Sequence, residues 1–596
     1  MELLERQAAL ADLTRLAQQA RDGQGGVVLL CGEAGVGKTA LLERFQRDLP
    51  DARWSWGACD GLFTPRPLGP LFDLAGQLGG DLDRLCRAGE DREELFRALL
   101  RQVSDPRTLN ILVIEDVHWA DEATVDLVWF LGRRLKSAPV LLIASYRDEG
   151  LTTDHPLRVA LGGLAGLRST HRVTLPPLSQ DGVRELSGDS GLDPAELFRL
   201  TGGNPFFVTE VLQAGVREVP AAARDAVFAR TARLTPQARE LLDVAALLGT
   251  RIEPGEIEAA VPGSAPLIDE IHASGLLIED GIRLRFRHEI ARLTVEQAIR
   301  AHRRGSIHRR ILAALQALGC ADDARMAFHA EGAGDGPAVL RYAPAAAKRA
   351  AALASHQEAA AQYQRVVRFA DGAEVATAAA LYDALGTETG LIDRWEDASK
   401  INSRALELWR QQGNRLREGA TLTQLSCVLW RLCRGDESKA AAESALEILR
   451  PLGPGGELAA AYSALAAVAM TQGSNAEAIA LAEQAAELAE PASVLEVLSD
   501  ALNTLGCALS ATGGEWTEPL NRAKAIAVSA NLAEQAGRAF ANIHGIYCEQ
   551  RRFEEAERAY AEGVSYTDEH DIGMYANCHQ PGELADHARR DPRAAR

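Results

Sequence analysis

Residues 27–42 read VVLLCGEAGVGKTALL. An apolar strand, Val27 to Cys31, runs into Gly32-Glu33-Ala34-Gly35-Val36-Gly37-Lys38-Thr39, and a helix is expected from about Lys38. The spacing fits G-x-x-x-x-G-K-[ST] in its strand–loop–helix setting. Glycines let successive backbone N–H groups turn inward around an anion, and the first turn of the helix adds its partial positive charge. Lys38 then reaches the β- and γ-phosphates, and the Thr39 hydroxyl is placed to ligate Mg²⁺. The run Gly32 to Thr39 is thus a candidate cradle for ATP or ADP with Mg²⁺.

Further along, residues 113–122 read VIEDVHWADE. The apolar strand Ile111 to Ile114 ends in two adjacent carboxylates, Glu115 and Asp116, which repel each other unless a cation or a water chain uses them. A Walker B strand ends this way: the first acid holds the Mg²⁺ shell and the second orients the attacking water. The first position is usually Asp. Glu115 is one methylene longer, so a water-mediated contact to the metal is expected, and the division of labour between the two acids stays open. Asp121 has the place of an N-cap for the next helix. A third apolar strand, Val140 to Ala144, ends in Ser145-Tyr146-Arg147. An arginine at that strand end can sense a γ-phosphate through charge-assisted hydrogen bonds. A surface ion pair with Asp148 or Glu149 is the plainer alternative. With Arg53–Ala58 and His171–Leu175 as further strands, residues 1–176 read as a parallel α/β layer domain.

The whole chain has 596 residues and a formal charge of −19. That length needs several cores, and that charge argues against a chain that wraps nucleic acid or lies on an anionic membrane. The start, MELLERQAAL, is acidic and amphipathic, unlike a signal peptide. No run reaches the ~18 apolar residues of a membrane span. Nine cysteines occur without a CxxC pair, so neither a zinc site nor a disulfide framework is indicated, and a cytoplasmic location is expected.

From about residue 375 the sequence is periodic. Leu385-Gly386, Leu425-Ser426, Leu465-Ala466 and Leu505-Gly506 recur at a step of 40 residues, and Ala405, Ala445, Ala485 and Ala525 keep the same step. Turn-like residues (Gly435-Asp436, Gly473-Ser474-Asn475, Gly513-Gly514) lie between the two sets. Each unit reads as helix, turn, helix, with small residues where the helices cross. That is a tetratricopeptide-like solenoid with a period longer than the usual ~34 residues, offering a concave surface for an inducer ligand or a regulatory protein. Tyr547 to Tyr560 reads as the start of a fifth unit, two residues short of register. The end of the sequence, GELADHARRDPRAAR, shows no obvious capping helix pair, which suggests a truncated chain or one whose output module is supplied elsewhere.

GEAGVGKT, VIEDVHWADE, SYR, LPPLS (175–179) and TGGNPFF (201–207) together resemble the large ATP-dependent LuxR-type transcriptional regulators. These belong to the signal-transducing ATPases with numerous domains, a group that includes the maltose regulator and apoptotic and plant-immunity ATPases. The resemblance implies a P-loop domain (1–176), a small helical domain (177–219), a winged helix (220–298), a helical linker (299–374) and helical repeats (375–596). It also implies that Gly203-Asn204-Pro205 is the proline-containing motif packed on the adenine, with Asn204 and Pro205 as nucleotide-binding residues. Phe286-Arg287-His288-Glu289 is similar to the histidine motif that touches the β-phosphate of ADP, although that motif usually ends in Asp. A helix-breaking turn at Pro205 and a plain structural histidine at position 288 are the alternatives.

A DNA reader is missing. Leu234 to Leu247, LTPQARELLDVAAL, looks like the opening of a LuxR-type DNA-binding domain, but no second turn and basic recognition helix follow. The densest basic stretch, Arg300 to Arg310, reads as a solvated helix face. The expected protein is an ATP/ADP switch with slow hydrolysis that regulates transcription, touches DNA only through a module not seen here, and can form an ATP-dependent homo-oligomer. An initiator-type ATPase loader, or the sensory half of a nucleotide-cyclase-type protein, remains as an alternative.

Overall fold

The computed structural model describes residues 3–59, 61, 66–147, 156–188, 190–214, 227, 228, 230–249 and 252–569. The chain divides into two compact units, Met1–Ala370 and Asp371–Arg596.

The first unit is built on a parallel five-stranded sheet. Its strands are β1 (Gly26–Cys31), β2 (Arg53–Ala58), β3 (Asn110–Glu115), β4 (Val140–Tyr146) and β5 (Thr170–Thr174), in the order β2-β3-β4-β1-β5. All five expected strands are present. Strand residues alternate between two apolar clusters: Val27, Leu29, Leu112, Ile114 and Leu142 on one face, Val28, Leu30, Ile111, Val113 and Leu141 on the other. Successive side chains of a strand point to opposite faces, so a parallel sheet covered on both sides needs continuous apolar runs. Because all five strands run parallel, the loops after β1, β3 and β4 gather at the carboxyl end of the sheet, where open α/β sheets bind ligands.

Helices Gln180–Ser187, Pro194–Thr201 and Pro205–Ala214 follow the sheet. Then come helices Pro236–Leu248, Pro254–Ala260 and Ala265–Ala273, the antiparallel hairpin β6 (Leu277–Asp280) and β7 (Arg283–Phe286), and helix Glu289–Ala298. The stretch that resembles a DNA-binding opening is thus the first helix of this cluster, capped by Thr235, whose side chain accepts from Ala238 N–H. The buried Arg230–Glu210 pair, with Arg230 Nε also donating to Ser274 O at 3.0 Å, ties the cluster to the helices before it.

Two expectations change here. The 299–374 segment is more than a linker: helices Ala301–Ala317, Asp323–Ala333, Gly336–Ala352 and His356–Val367 pack each on the next, and the last pairs with the ATPase-like sheet domain. Its helices keep no common step, so the sequence marks the segment as helical without marking how it packs. The Arg300–Arg310 face is not simply solvated. Arg303 pairs with Asp243 at 3.0 Å, Arg310 with Glu240 and the Ala260 carbonyl, and Arg304 with the Ile299 and Glu296 carbonyls. Arg303 and Arg310 tie the helix to the preceding cluster.

The second unit contains five helix pairs among its described residues: Val375–Leu391 with Trp395–Gln412, Arg415–Arg431 with Gly435–Leu449, Gly456–Thr471 with Asn475–Ala489, Leu495–Ala511 with Thr517–Ser529, and Ala533–Glu549 with Phe553–Glu569. Small residues do sit at the crossings. Ser426 and Ser438 each donate an Oγ hydrogen bond to the other's carbonyl at 2.8 Å, and a Cβ on Gly506 would lie 2.5 Å from Leu520 Cγ. Tyr547–Tyr560 is not the start of the fifth unit but spans its central turn. The missing two residues are real: the left-handed turn position falls at Asp393, Cys433, Gly473, Gly513 and then Arg551. The expected absence of a C-terminal cap concerns residues 570–596, which lie outside the described residues.

Candidate nucleotide site

The loop after β1 turns on Gly35 (φ 80°) and Gly37 (φ 97°), and the helix Lys38–Asp48 starts directly after Gly37. A side chain at Gly35 would be strained by that φ, and its Cβ would lie 2.6 Å from Phe206 Cβ. The Gly203-Asn204-Pro205 segment therefore lies against the loop. Asn204 Nδ2 donates to Ala34 O at 2.8 Å, and Phe206 N–H donates to Gly35 O at 3.2 Å. Gly203 Cβ would clash with Leu178 O at 2.1 Å, so only glycine fits under the LPPLS segment.

Lys38 is 8% exposed, and its Nζ donates to Gly32 O and Glu33 O at 2.7 and 3.0 Å. Burial depresses its pKa, opposed by the charge of Asp116. Thr39 Oγ1 donates to Glu115 Oε1 at 2.6 Å, which brings together the hydroxyl and the first acid named from sequence. Asp116 leaves β3 in the left-handed region (φ 55°), with its N–H on Ser145 Oγ at 3.1 Å. Burial raises its carboxyl pKa, against the pull of Arg147 and Lys38. Arg147 Nε lies 3.8 Å from Asp116 Oδ1, and its guanidinium sits 4.7 Å above the Trp119 ring. The alternative partners Asp148 and Glu149 lie outside the described residues. Asp121 caps helix Glu122–Arg134 as expected, accepting from Thr124 N–H.

Lys38, Thr39, Glu115, Asp116 and Arg147 open onto one cavity of about 790 Å³. Its lining includes Gly35, Val36, Gly37, Lys38, Thr39, Glu115, Asp116, Arg147, Pro205, Phe206, His288 and Glu289. Gly32 and Glu33 face Lys38 through their carbonyls. His288 packs edge-on against Phe206, ring centres 4.5 Å apart, and burial among Arg287, Arg230 and Arg285 lowers its pKa to about 3. Glu289 is raised by burial against its hydrogen bonds from Arg292 (2.8 and 3.0 Å), with Asp116 adding to the rise. Across the cavity, Arg285 of β7 reaches Glu43 of the P-loop helix at 3.0 Å.

Sequence reading missed the N-terminal wall. Arg6 is 4% exposed and donates to Val36 O at 3.1 Å and Pro176 O at 2.9 Å, while Glu5 accepts from Ser179 N–H at 2.8 Å. Leu3, Leu4 and Arg6 line the apolar end of the cavity with Leu178 and Leu186. An arginine ahead of an amphipathic helix carries no local mark of burial, so nothing in MELLERQ distinguishes it.

The oxygen donors suit Mg²⁺. A hydroxyl and a carboxylate 2.6 Å apart are hard ligands, and Mg²⁺ takes its remaining positions from water and phosphate. That mode needs no closed protein cage, and no cluster of three His, Cys, Asp or Glu side chains able to hold a metal occurs among the described residues. No helix among them is long and apolar enough to cross a membrane.

Residues 2–143 match the family model of the AAA ATPase domain. The chain thus carries an AAA ATPase domain followed by tetratricopeptide-like helical repeats. An uncharacterized protein of Rhizobium meliloti (strain 1021) is 28% identical over 407 residues, covering 56% of this chain and 39% of that protein. The chain spans well under two thirds of that relative's length. Among solved structures, a STAND protein with a tetratricopeptide repeat sensor from Pyrococcus horikoshii aligns over 95% of this chain and 97% of its own, at 16% identity and a TM-score of 0.41. A Walker-type ATPase of Pyrococcus abyssi aligns over 49% and 96%, at 15% identity and a TM-score of 0.28. A Rap protein complexed with competence and sporulation factor aligns over 47% and 80%, at 16% and 0.36. At such scores the functional reading rests on this chain's own residues.

Proposed function

We propose that this chain is an ATP/ADP-dependent switch of the signal-transducing ATPase type that regulates transcription, with slow hydrolysis as its reset. One observation carries the reading: a single cavity joins Lys38 and Thr39 with Asp116, Arg147 and, from some 250 residues later, His288. A site walled by both the phosphate loop and a later cluster can respond to the nucleotide by opening or closing. Taken as a winged helix, the 220–298 segment is the moving wall; its residues 220–226, 229, 250 and 251 lie outside the described residues.

In this reading the amides of Gly32–Thr39 and the Lys38 ammonium hold the phosphates. Thr39 and Glu115 hold Mg²⁺, which would neutralise charge on the phosphate oxygens. Asp116 orients the attacking water, Arg147 senses the γ-phosphate, and Asn204 fixes the loop on which Pro205 meets the base. Neutral His288 offers an N–H to the β-phosphate of ADP. The helical repeats take the inducer or partner, in a cytoplasmic protein that assembles when ATP is bound.

Titration with ATP and ADP in the presence of Mg²⁺ tests the site directly. Binding of either at a hundred-fold excess over its dissociation constant should stabilise the first unit by about 2.7 kcal/mol. His288→Ala should erode the ADP effect more than the ATP effect. Equal loss of both, or loss of neither, would make His288 a structural residue. DNA that strongly stimulates turnover would favour the loader reading. The acidic charge of −19 and the ion pairs of Arg303 with Asp243 and Arg310 with Glu240 weigh against it.

A further inference from the structure

The segment after Asp116 is gripped from an unexpected side. Asp121, 1% exposed, caps the helix Glu122–Arg134 and also accepts from Leu68 N–H at 3.2 Å and from Ser355 Oγ at 3.0 Å. Ser355 is fully buried and directly precedes the helix His356–Val367. Two residues before it, Leu353 belongs to the apolar cluster of the parallel sheet, and Arg349 lies 5.6 Å from the Phe72 ring. The last helices before residue 370 therefore dock on the module that holds the candidate phosphate site, at the first turn after the acid strand.

The dock contains a mismatch. Glu358 is 8% exposed, and its Oε2 has no hydrogen-bond partner among the described residues; the same holds for Oε2 of Glu122. The charges of Asp121 and Glu122 both act on the Glu358 carboxyl, which accepts from the backbone N–H groups of Glu358 and Glu122 but keeps its Oε2 without a donor. Basic side chains of the same region have other partners: Arg66 and Arg349 lie on Phe72, while Arg365 and Arg368 pair with Glu331. A buried acceptor without a donor is costly, and a proton on one carboxyl supplies the donor.

We infer that the Ser355–Glu358 turn is a latch, tightened when the Glu358 carboxyl holds a proton, that fixes the first turn of helix Glu122–Arg134 and couples the Asp116 loop to the helices beyond it. Burial, together with the charges of Asp121 and Glu122, pushes Glu358 up to about 8 in the closed state. Released, it returns to the ordinary carboxylate range, so the closed state binds the extra proton. Closure is therefore strongest in acid, weakens as pH rises toward 8, and changes little above that. Loss of the latch frees Asp121 from one of its donors and so loosens the loop that carries Asp116 and Trp119.

The latch rests on these contacts and not on nucleotide binding, so its first test uses the full chain without nucleotide. Hydrogen–deuterium exchange of peptides within 117–131, corrected for intrinsic rates, is measured at pH 6 and pH 8 for wild type and for the isosteric Glu358→Gln. Wild-type protection should fall about ten-fold or more over that range, while Glu358→Gln stays flat and is the better protected at pH 8. Equal pH slopes in the two proteins would overturn the inference. The coupling is read from release of a fluorescent ADP at pH 8: slower in Glu358→Gln than in wild type, faster in Ser355→Ala. Unchanged release in Glu358→Gln overturns the coupling even if Ser355→Ala proves too unstable to study. A chain that binds no ADP would refute the proposed nucleotide reading and leave the exchange result standing.

Discussion

The two units solve different problems: one is built on a parallel sheet, the other from helix pairs alone among its described residues. In the second unit, the two helices of a pair meet through small residues at their crossing, such as Ser426 with Ser438 and Gly506 with Leu520. The left-handed turn residue recurs at a fixed step, whether it is glycine (Gly473, Gly513) or not (Asp393, Cys433). In the first unit, irregular positions carry the load. Asp116 is forced to φ 55°, Lys38 and Arg6 are buried, and Asp121 accepts from residues on three separate elements. Repetition spreads stability over many equivalent contacts, as in any quasi-one-dimensional stack. Convergence concentrates chemistry in a few side chains that have no substitutes.

That difference can be broken or sharpened by substitution. The largest effect is expected in the convergent unit. Asp116→Asn should leave ATP affinity nearly unchanged and slow turnover by about 100-fold or more, because the water loses its orienting carboxylate. Wild-type turnover in Asp116→Asn and in Glu115→Gln together would remove the Walker B assignment. Glu115→Gln itself should weaken the Mg²⁺ dependence of binding, measured by titration with and without the metal.

Lys38→Ala comes next. Loss of the buried ammonium should weaken ATP and ADP binding about ten-fold or more, at least ~1.4 kcal/mol. Calorimetry showing wild-type affinity in a folded mutant would remove the cradle assignment. The unfolding of the repeats should not respond, and a response would show that the contrast between the units is too sharply drawn.

In the repeats, Gly506→Ala places a Cβ 2.5 Å from Leu520 Cγ and 3.2 Å from Trp516 O. Overpacking at such a crossing should cost about 1–3 kcal/mol in denaturant unfolding, with nucleotide binding unchanged. The smallest effect is expected at the repeat turn. Cys433 holds φ 57°, where the four equivalent turns carry Asp393, Gly473, Gly513 and Arg551. Cys433→Gly should stabilise the second unit by up to about 1 kcal/mol, since strain relief exceeds the added unfolded-chain entropy. Destabilisation would mean that the exposed Cys433 side chain makes contacts worth more than its backbone strain.

Much of this molecule is written locally. The strands of the sheet are apolar runs ended by chemistry-bearing residues, so VVLLCGEAGVGKT and ILVIED disclose their elements and their order of use. The 40-residue step discloses the solenoid because equivalent crossings demand equivalent small residues. Thr39 and Glu115 were legible as partners because a known phosphate chemistry requires both. What only the tertiary structure decided is which distant groups share a space. No pattern in the sequence marks Arg6 as buried against Val36 O, pairs Arg303 with Asp243, or brings Ser355 and Glu358 onto Asp121 across 234 residues. Such contacts depend on the path of the whole chain. Desolvation and charge pairing act on distance in space, and a one-dimensional pattern records only neighbours along the backbone and the periodicities they impose.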